Sequence, residues 1–156
     1  MTQLKNKLIF CLDESGSMQS IARPTVAAFN KILESAKANA FSSGQATTLT
    51  LYTLGGQHAK VSRKFHDVPI DQVKPLRREA YQPDGGTPLF DCIGDAITDA
   101  LMLTSDPLTS FNLNCITDGE ERDSHRFSSG GGKRLITMVQ GTDRWTVTFM
   151  VPRGCK

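Results

Sequence analysis

The chain carries no Cys-x-x-Cys pair, no long apolar run and no strong excess of either charge, and it is sparing with aromatics (7%) and histidine (three residues). Each scarcity excludes something. The four cysteines, Cys11, Cys92, Cys115 and Cys155, lie scattered, which argues against a zinc site. Cys11 and Cys115 fall inside apolar runs, where a small buried thiol is ordinary. No stretch approaches the roughly 20 apolar residues of a membrane helix, so no membrane partner is expected. A net charge of +2, from 18 basic and 16 acidic residues, is too mild to predict nucleic-acid binding. The short basic groups at Lys60, Arg63–Lys64, Arg77–Arg78 and Lys133–Arg134 read as solvated faces. His58, His66 and His125 stand apart, and they suggest surface roles rather than a metal cluster or a catalytic base. The opening MTQLKNKLIFCLDES has a short apolar run broken at Asp13 and no small-residue cleavage site. It reads as a first strand and not a signal peptide, so reduced thiols in a cytoplasm are expected.

What is present is a chain of 156 residues, 38% hydrophobic and 22% charged, which fits one layered domain. Lys7 to Leu12 (KLIFCL) is a continuous apolar run, as in a strand buried on both faces of a parallel sheet. From Pro24 to Ala40 the apolar residues Val26, Phe29, Leu33, Ala36 and Ala40 recur at helical spacing. Thr47 to Leu54 is a strand rich in β-formers, and Ala59 to Val68 is a charged antiparallel edge partner. Ile70 to Tyr81 predicts a short helix and a loop around Pro75. PDGGTP at Pro83 to Pro88 is dense turn chemistry. A second helix follows, with Phe90, Ile93, Ile97, Ala100 and Leu101 on one face. Phe111 to Thr117 is a strand, Arg122 to Gly132 a glycine-rich loop, and Lys133 to Gln140 a short helix with Leu135, Met138 and Val139 inward. Trp145 to Val151 is a last strand. Alternating strands and helices predict an α/β fold: a doubly wound, mostly parallel sheet with one antiparallel edge strand and helices on both faces.

Three polar clusters sit at element ends: Asp13 to Ser17 after the first strand, Asp84 to Thr87 before the second long helix, and Thr117 to Glu120 after the strand at Phe111. In a doubly wound sheet, ligands bind outside the carboxyl ends of the strands where strand order reverses. A fold that begins at its central strand brings Asp13 and Asp118 to neighbouring strand ends. Two carboxylates and three hydroxyls, with no histidine or cysteine among them, form an oxygen donor set. That set selects Mg²⁺, with Mn²⁺ or Ca²⁺ as alternatives.

These residues carry a resemblance. Asp13-x-Ser15-x-Ser17, Thr87 and Asp118, with the surrounding CLDESGSM, DGGTPLFDCIGDAI and ITDGEE, resemble the metal-ion-dependent adhesion site of von Willebrand factor A domains, notably bacterial and phage members. RLITMVQGTDRWTVTFMV is similar to their following helix and strand, so the resemblance spans nearly the whole chain. It implies direct metal binding by the hydroxyls of Ser15 and Ser17. Thr87 would bind directly or through water, Asp13 and Asp118 would hold coordinated waters, and a sixth position would await a Glu or Asp of a partner protein. The implied function is a protein-interaction module and not an enzyme. Residues 1–156 would form one such domain, lacking the family's last helix, strand and helix and leaving an apolar strand at the sheet's border.

Other readings stand beside this one. An Asp after a first strand can be a phosphoryl-accepting nucleophile, so a metal-dependent phosphohydrolase using Asp13 is the alternative, although position 15 is Ser where that chemistry wants a second Asp. A serine-rich turn can be a plain helix cap. Glu14, Glu120 and Glu121 read as solvated loop residues, and Asp91, Asp95 and Asp99 as the wet face of the second helix. Gly130 to Arg134 fails as a phosphate loop, because Phe127 stands at the first glycine position and Arg134 where Ser or Thr is needed.

Overall fold

The computed structural model describes residues 4–103, 106–119, 124, 126–127 and 129–152. Glu120, Glu121, His125, Cys155 and part of the expected loop from Arg122 lie outside them. The apolar run at the start of the chain becomes β1 (Lys5–Glu14), which pairs in parallel with β2 (Ala46–Gly55) on one side and with β4 (Thr109–Ile116) on the other. β3 (Lys60–Pro69) runs antiparallel to β2, and β5 (Trp145–Met150) parallel to β4, giving the order β3-β2-β1-β4-β5. The expected α/β sheet with one antiparallel edge strand is therefore what forms.

Alternation along β1 divides the core in two. Leu8, Phe10 and Leu12 pack with Leu49 and Leu51 against α1 (Ala22–Ser43), through Val26, Phe29 and Leu33. Ile9 and Cys11 face the opposite layer, where Ile93 and Ile97 of α2 (Leu89–Leu103) and Val139 of α3 (Ser129–Gln140) meet Leu113 and Cys115. Helices thus cover both faces. Rings of Phe10 and Phe29 sit 4.7 Å apart in the first layer, and those of Phe111 and Trp145 stack at 4.4 Å in the second.

Some local expectations need correction. α1 is preceded by a 3-10 turn over Gly16–Ile21 that buries Met18, and it runs on to Ser43, where Gly44 closes it at φ 71°. Ile70 to Tyr81 holds two 3-10 turns, Ile70–Gln72 and Arg78–Ala80, and no longer helix. Leu101 (42% exposed) and Met138 (54%) face solvent, while Cys92, Ala96 and Ile136 take inward positions. α3 begins at Ser129 and so includes the three glycines expected in a loop. The reason is packing: the ring of Phe90 occupies the space where a Cβ on Gly132 would stand, 2.5 Å away, so α2 and α3 close together.

Candidate metal centre

The parallel register that pairs Leu12 with Ile116 brings Asp13 beside Thr117 at the carboxyl ends of β1 and β4. Asp13 is fully buried. Its Oδ1 accepts the Ser15 N–H at 2.9 Å, which bends the chain out of the strand. Its Oδ2 accepts the Thr117 hydroxyl at 2.7 Å. Thr117 Oγ1 accepts in turn the Gly119 N–H at 3.1 Å, with Gly119 at φ 87° turning the chain just after Asp118. Thr117 was not among the expected site residues, though its place beside Asp13 follows from the register of two parallel strands. Burial pushes the Asp13 carboxyl above its usual range; hydrogen bonds from Ser15 and Thr117 pull against that, and the charge of Asp118 adds to the rise. Among the described residues no ion pair offsets the burial of this carboxylate.

Ser15 is buried and Ser17 exposed, with their hydroxyl oxygens 3.3 Å apart. Thr87 (3% exposed) arrives on a loop clamped to the strand ends by its backbone. Asp84 N–H donates to the Glu14 carbonyl (2.9 Å), Gly16 N–H to the Gly85 carbonyl (3.0 Å) and Gly56 N–H to the Asp84 carbonyl (2.6 Å). Gly85 stands at φ 75°, and a Cβ there would lie 1.6 Å from the Gly56 carbonyl oxygen, so only glycine fits this crossing. Below the loop, the buried Tyr81 donates its phenol to the Asp13 carbonyl, an anchor with no signature in the sequence. Asp118 follows β4, half-buried, and close enough for its charge to act on Asp13 and Tyr81.

The structure thus joins Asp13, Ser15 and Ser17 by hydrogen bonds and brings the Thr87 loop onto the same turn by backbone bonds, with Asp118 one strand over. Among the described residues no group of three or more His, Cys, Asp or Glu is arranged to hold a metal, so a cation here would depend on the hydroxyls. The donor chemistry suits a small hard ion. Cis ligands about 2.1 Å from such an ion sit about 3 Å from each other, close to the Ser15–Ser17 separation.

Neighbouring acidic residues differ from expectation. Glu14 is no free loop carboxylate, since its Oε2 accepts the Gln82 N–H at 2.8 Å. Asp91 is buried (4% exposed) and its Oδ1 accepts the N–H groups of Arg126 (2.9 Å) and Phe127 (2.8 Å). Asp91 N–H donates to the Ser124 hydroxyl at 3.0 Å, and Asp95 holds the Arg126 guanidinium through two 2.7 Å bonds. Ser124, Arg126 and Phe127 thus meet this face of α2. His58 and His66 are exposed, as expected.

No protein-family model and no curated protein matches the chain. Solved structures do. The manganese-loaded TRAP protein of Plasmodium vivax superposes with a TM-score of 0.63 at 14% identity, over 97% of this chain and 59% of that one. The pilus adhesin SpaC of Lactobacillus rhamnosus GG, in an open conformation, gives 0.60 at 14% identity, over 78% of this chain and 15% of that one. Proximal thread matrix protein 1 of the mussel byssus gives 0.59 at 11% identity, over 96% and 38%. This chain spans less than two thirds of each of these proteins. What this chain shares with them is the fold, which here is a five-stranded, mostly parallel α/β sheet of Rossmann-like type.

Proposed function

We propose that the protein is an interaction module that holds a divalent cation, Mg²⁺ or else Mn²⁺ or Ca²⁺, on Asp13, Ser15, Ser17, Thr87 and Asp118, and grips a Glu or Asp of a partner protein through it. The observation that carries this reading is the buried Asp13 carboxylate, held by Ser15 and Thr117 beneath a pair of serine hydroxyls and facing no cationic side chain among the described residues. A buried carboxylate without a counter-charge is costly, and a bound cation would relieve it. A manganese-loaded protein and a pilus adhesin among the structural neighbours agree with both halves of the proposal.

The hydroxyls of Ser15, Ser17 and Thr87 would bind the ion as neutral donors, with Asp13 and Asp118 acting through water. Bound there, the ion supplies concentrated positive charge that its neutral ligands do not cancel, and so attracts a carboxylate strongly. Exposure of Ser17 and the partial exposure of Asp118 leave the site open to a partner, while the clamped loop at Asp84 and Gly85 holds Thr87 in place. The cytoplasmic setting belongs to the same proposal, and the free, buried thiols of Cys11, Cys92 and Cys115 agree with it. The phosphohydrolase reading gains nothing, because Ser15, which gives its N–H to Asp13, stands where that chemistry wants a second Asp.

Affinity capture with the full chain in Mg²⁺, beside EDTA and the Asp13→Ala/Ser15→Ala variant, followed by mass spectrometry, tests the proposal. A partner retained only by the unaltered chain in Mg²⁺ is expected. Equal retention in EDTA refutes metal dependence.

A further inference from the structure

Beside the loop that carries Thr87, the sheet face between β3 and the Leu76 to Gln82 segment is left open as a groove of about 660 Å³, a volume within the roughly 300–1,000 Å³ of ligand clefts. Its floor is apolar and hydroxylic, from Leu12, Leu51 and Thr53, and Tyr81 closes one side. The other side is cationic. Residues on β3 alternate, so Val61 and Arg63 turn to the α2 layer, where Arg63 meets Asp99 at 3.7 Å. Lys60, Ser62 and Lys64 line the groove instead. A register shift sets Tyr52 opposite Arg63 but Leu51 opposite Phe65, leaving Lys64 as the extra residue of a bulge after which Phe65 turns to the same face. Neither lysine has an ion pair among the described residues. The groove's carboxylate, Glu14, is occupied by the Gln82 N–H. Charge is therefore unbalanced towards positive. The rim at Glu14 and Gly56 is the same backbone that clamps Asp84, so the groove opens at the turns bordering the candidate metal centre.

We infer that this groove receives an extended acidic stretch of the partner protein, its carboxylates on Lys60 and Lys64 and its apolar side chains against the half-buried Leu76. The inference rests on the proposed function in taking the same partner, but not on the metal. Two lysines without an exposed aromatic platform suit a peptide better than a nucleic-acid strand, whose bases need rings to stack on.

Fluorescence anisotropy tests it, with a labelled dodecapeptide alternating Glu and Leu, its Lys-for-Glu counterpart and a single-stranded DNA dodecamer, each in Mg²⁺ and in EDTA. The Glu peptide is expected to bind the full chain, and Lys60→Glu/Lys64→Glu to weaken it by about tenfold or more. Lys60→Gln/Lys64→Gln should fall between, with the melting temperature of both variants near that of the unaltered chain because the lysines are exposed. The inference is overturned if the double reversal changes affinity by less than about twofold, if the Glu peptide does not bind, or if the Lys peptide or the DNA binds as well. The two readings fail separately. Affinity that ignores EDTA but collapses in the double reversal sinks the metal and keeps the groove. Affinity that collapses in EDTA and ignores the lysines does the reverse.

Discussion

Asp13 and Asp67 are both acidic residues drawn out of water, and they face opposite fates. Burial raises Asp13, and nothing cationic among the described residues answers it. Burial also opposes Asp67, but the Lys7 ammonium at 2.7 Å, with the Thr48 hydroxyl and His66, outweighs it and holds that carboxyl below its usual range. The signs follow by linkage. In the cation-free protein, unfolded Asp13 releases its proton at the ordinary carboxylate pKa while the folded form keeps it longer. Stability therefore falls as pH rises through that window, and at neutral pH the ionised, buried group is a burden. Asp13→Asn is expected to raise the melting temperature in EDTA and to abolish any rise on adding Mg²⁺; thermal unfolding with and without the ion reads both. Asp67 contributes stability above the ordinary carboxylate pKa that disappears as pH falls through its lowered value. Lys7→Met should flatten that acid limb in urea titrations at several pH values. Gly85→Ala should cost about 3 kcal/mol or more, from a left-handed backbone and a clash with the Gly56 carbonyl, seen as a lower urea midpoint.

The strands and long helices were legible because their signals are local. KLIFCL is apolar on both faces because β1 lies mid-sheet between two helical layers. The acidic row at 91, 95 and 99 misled, because helical spacing reports which residues share a face and not what later covers it. Here a segment more than thirty residues downstream in sequence returns to α2: Arg126 and Phe127 give their N–H groups to Asp91, 35 and 36 positions away. Asp99 accepts from the Tyr52 phenol, a contact between α2 and β2. Asp91→Ala leaves two amides without their acceptor and should cost about 2–4 kcal/mol. Native-state hydrogen exchange should speed up at Arg126 and Phe127 before the β1 amides respond. The thiol cluster belongs to this scale too. Burial pushes Cys92 up, and contact with Cys11 together with burial does the same at Cys115. Cys11, Cys92 and Cys115 should resist a thiol reagent in the native state and react at the rate of unfolding, which peptide mapping after timed labelling would reveal.

At the scale of the whole molecule, strand order carries the account. β1 at the centre with β4 beside it sets Asp13 against Thr117, one residue before Asp118, and the loop preceding α2 crosses above them. That much could be argued from three short clusters placed at the ends of elements. The lysine-lined groove could not, because it depends on a weakly patterned segment whose path is set in part by distant contacts, such as Asn30 bonding the Leu76 backbone on both sides. The central claim is that five oxygen-bearing side chains converge on one hard cation and leave a place for a partner's carboxylate. The most direct test is an anomalous difference map from crystals grown with Mn²⁺. The account predicts a single strong peak about 2 Å from the Ser15 and Ser17 hydroxyl oxygens, with Thr87, Asp13 and Asp118 around it. A map with no peak there at saturating Mn²⁺ would contradict it.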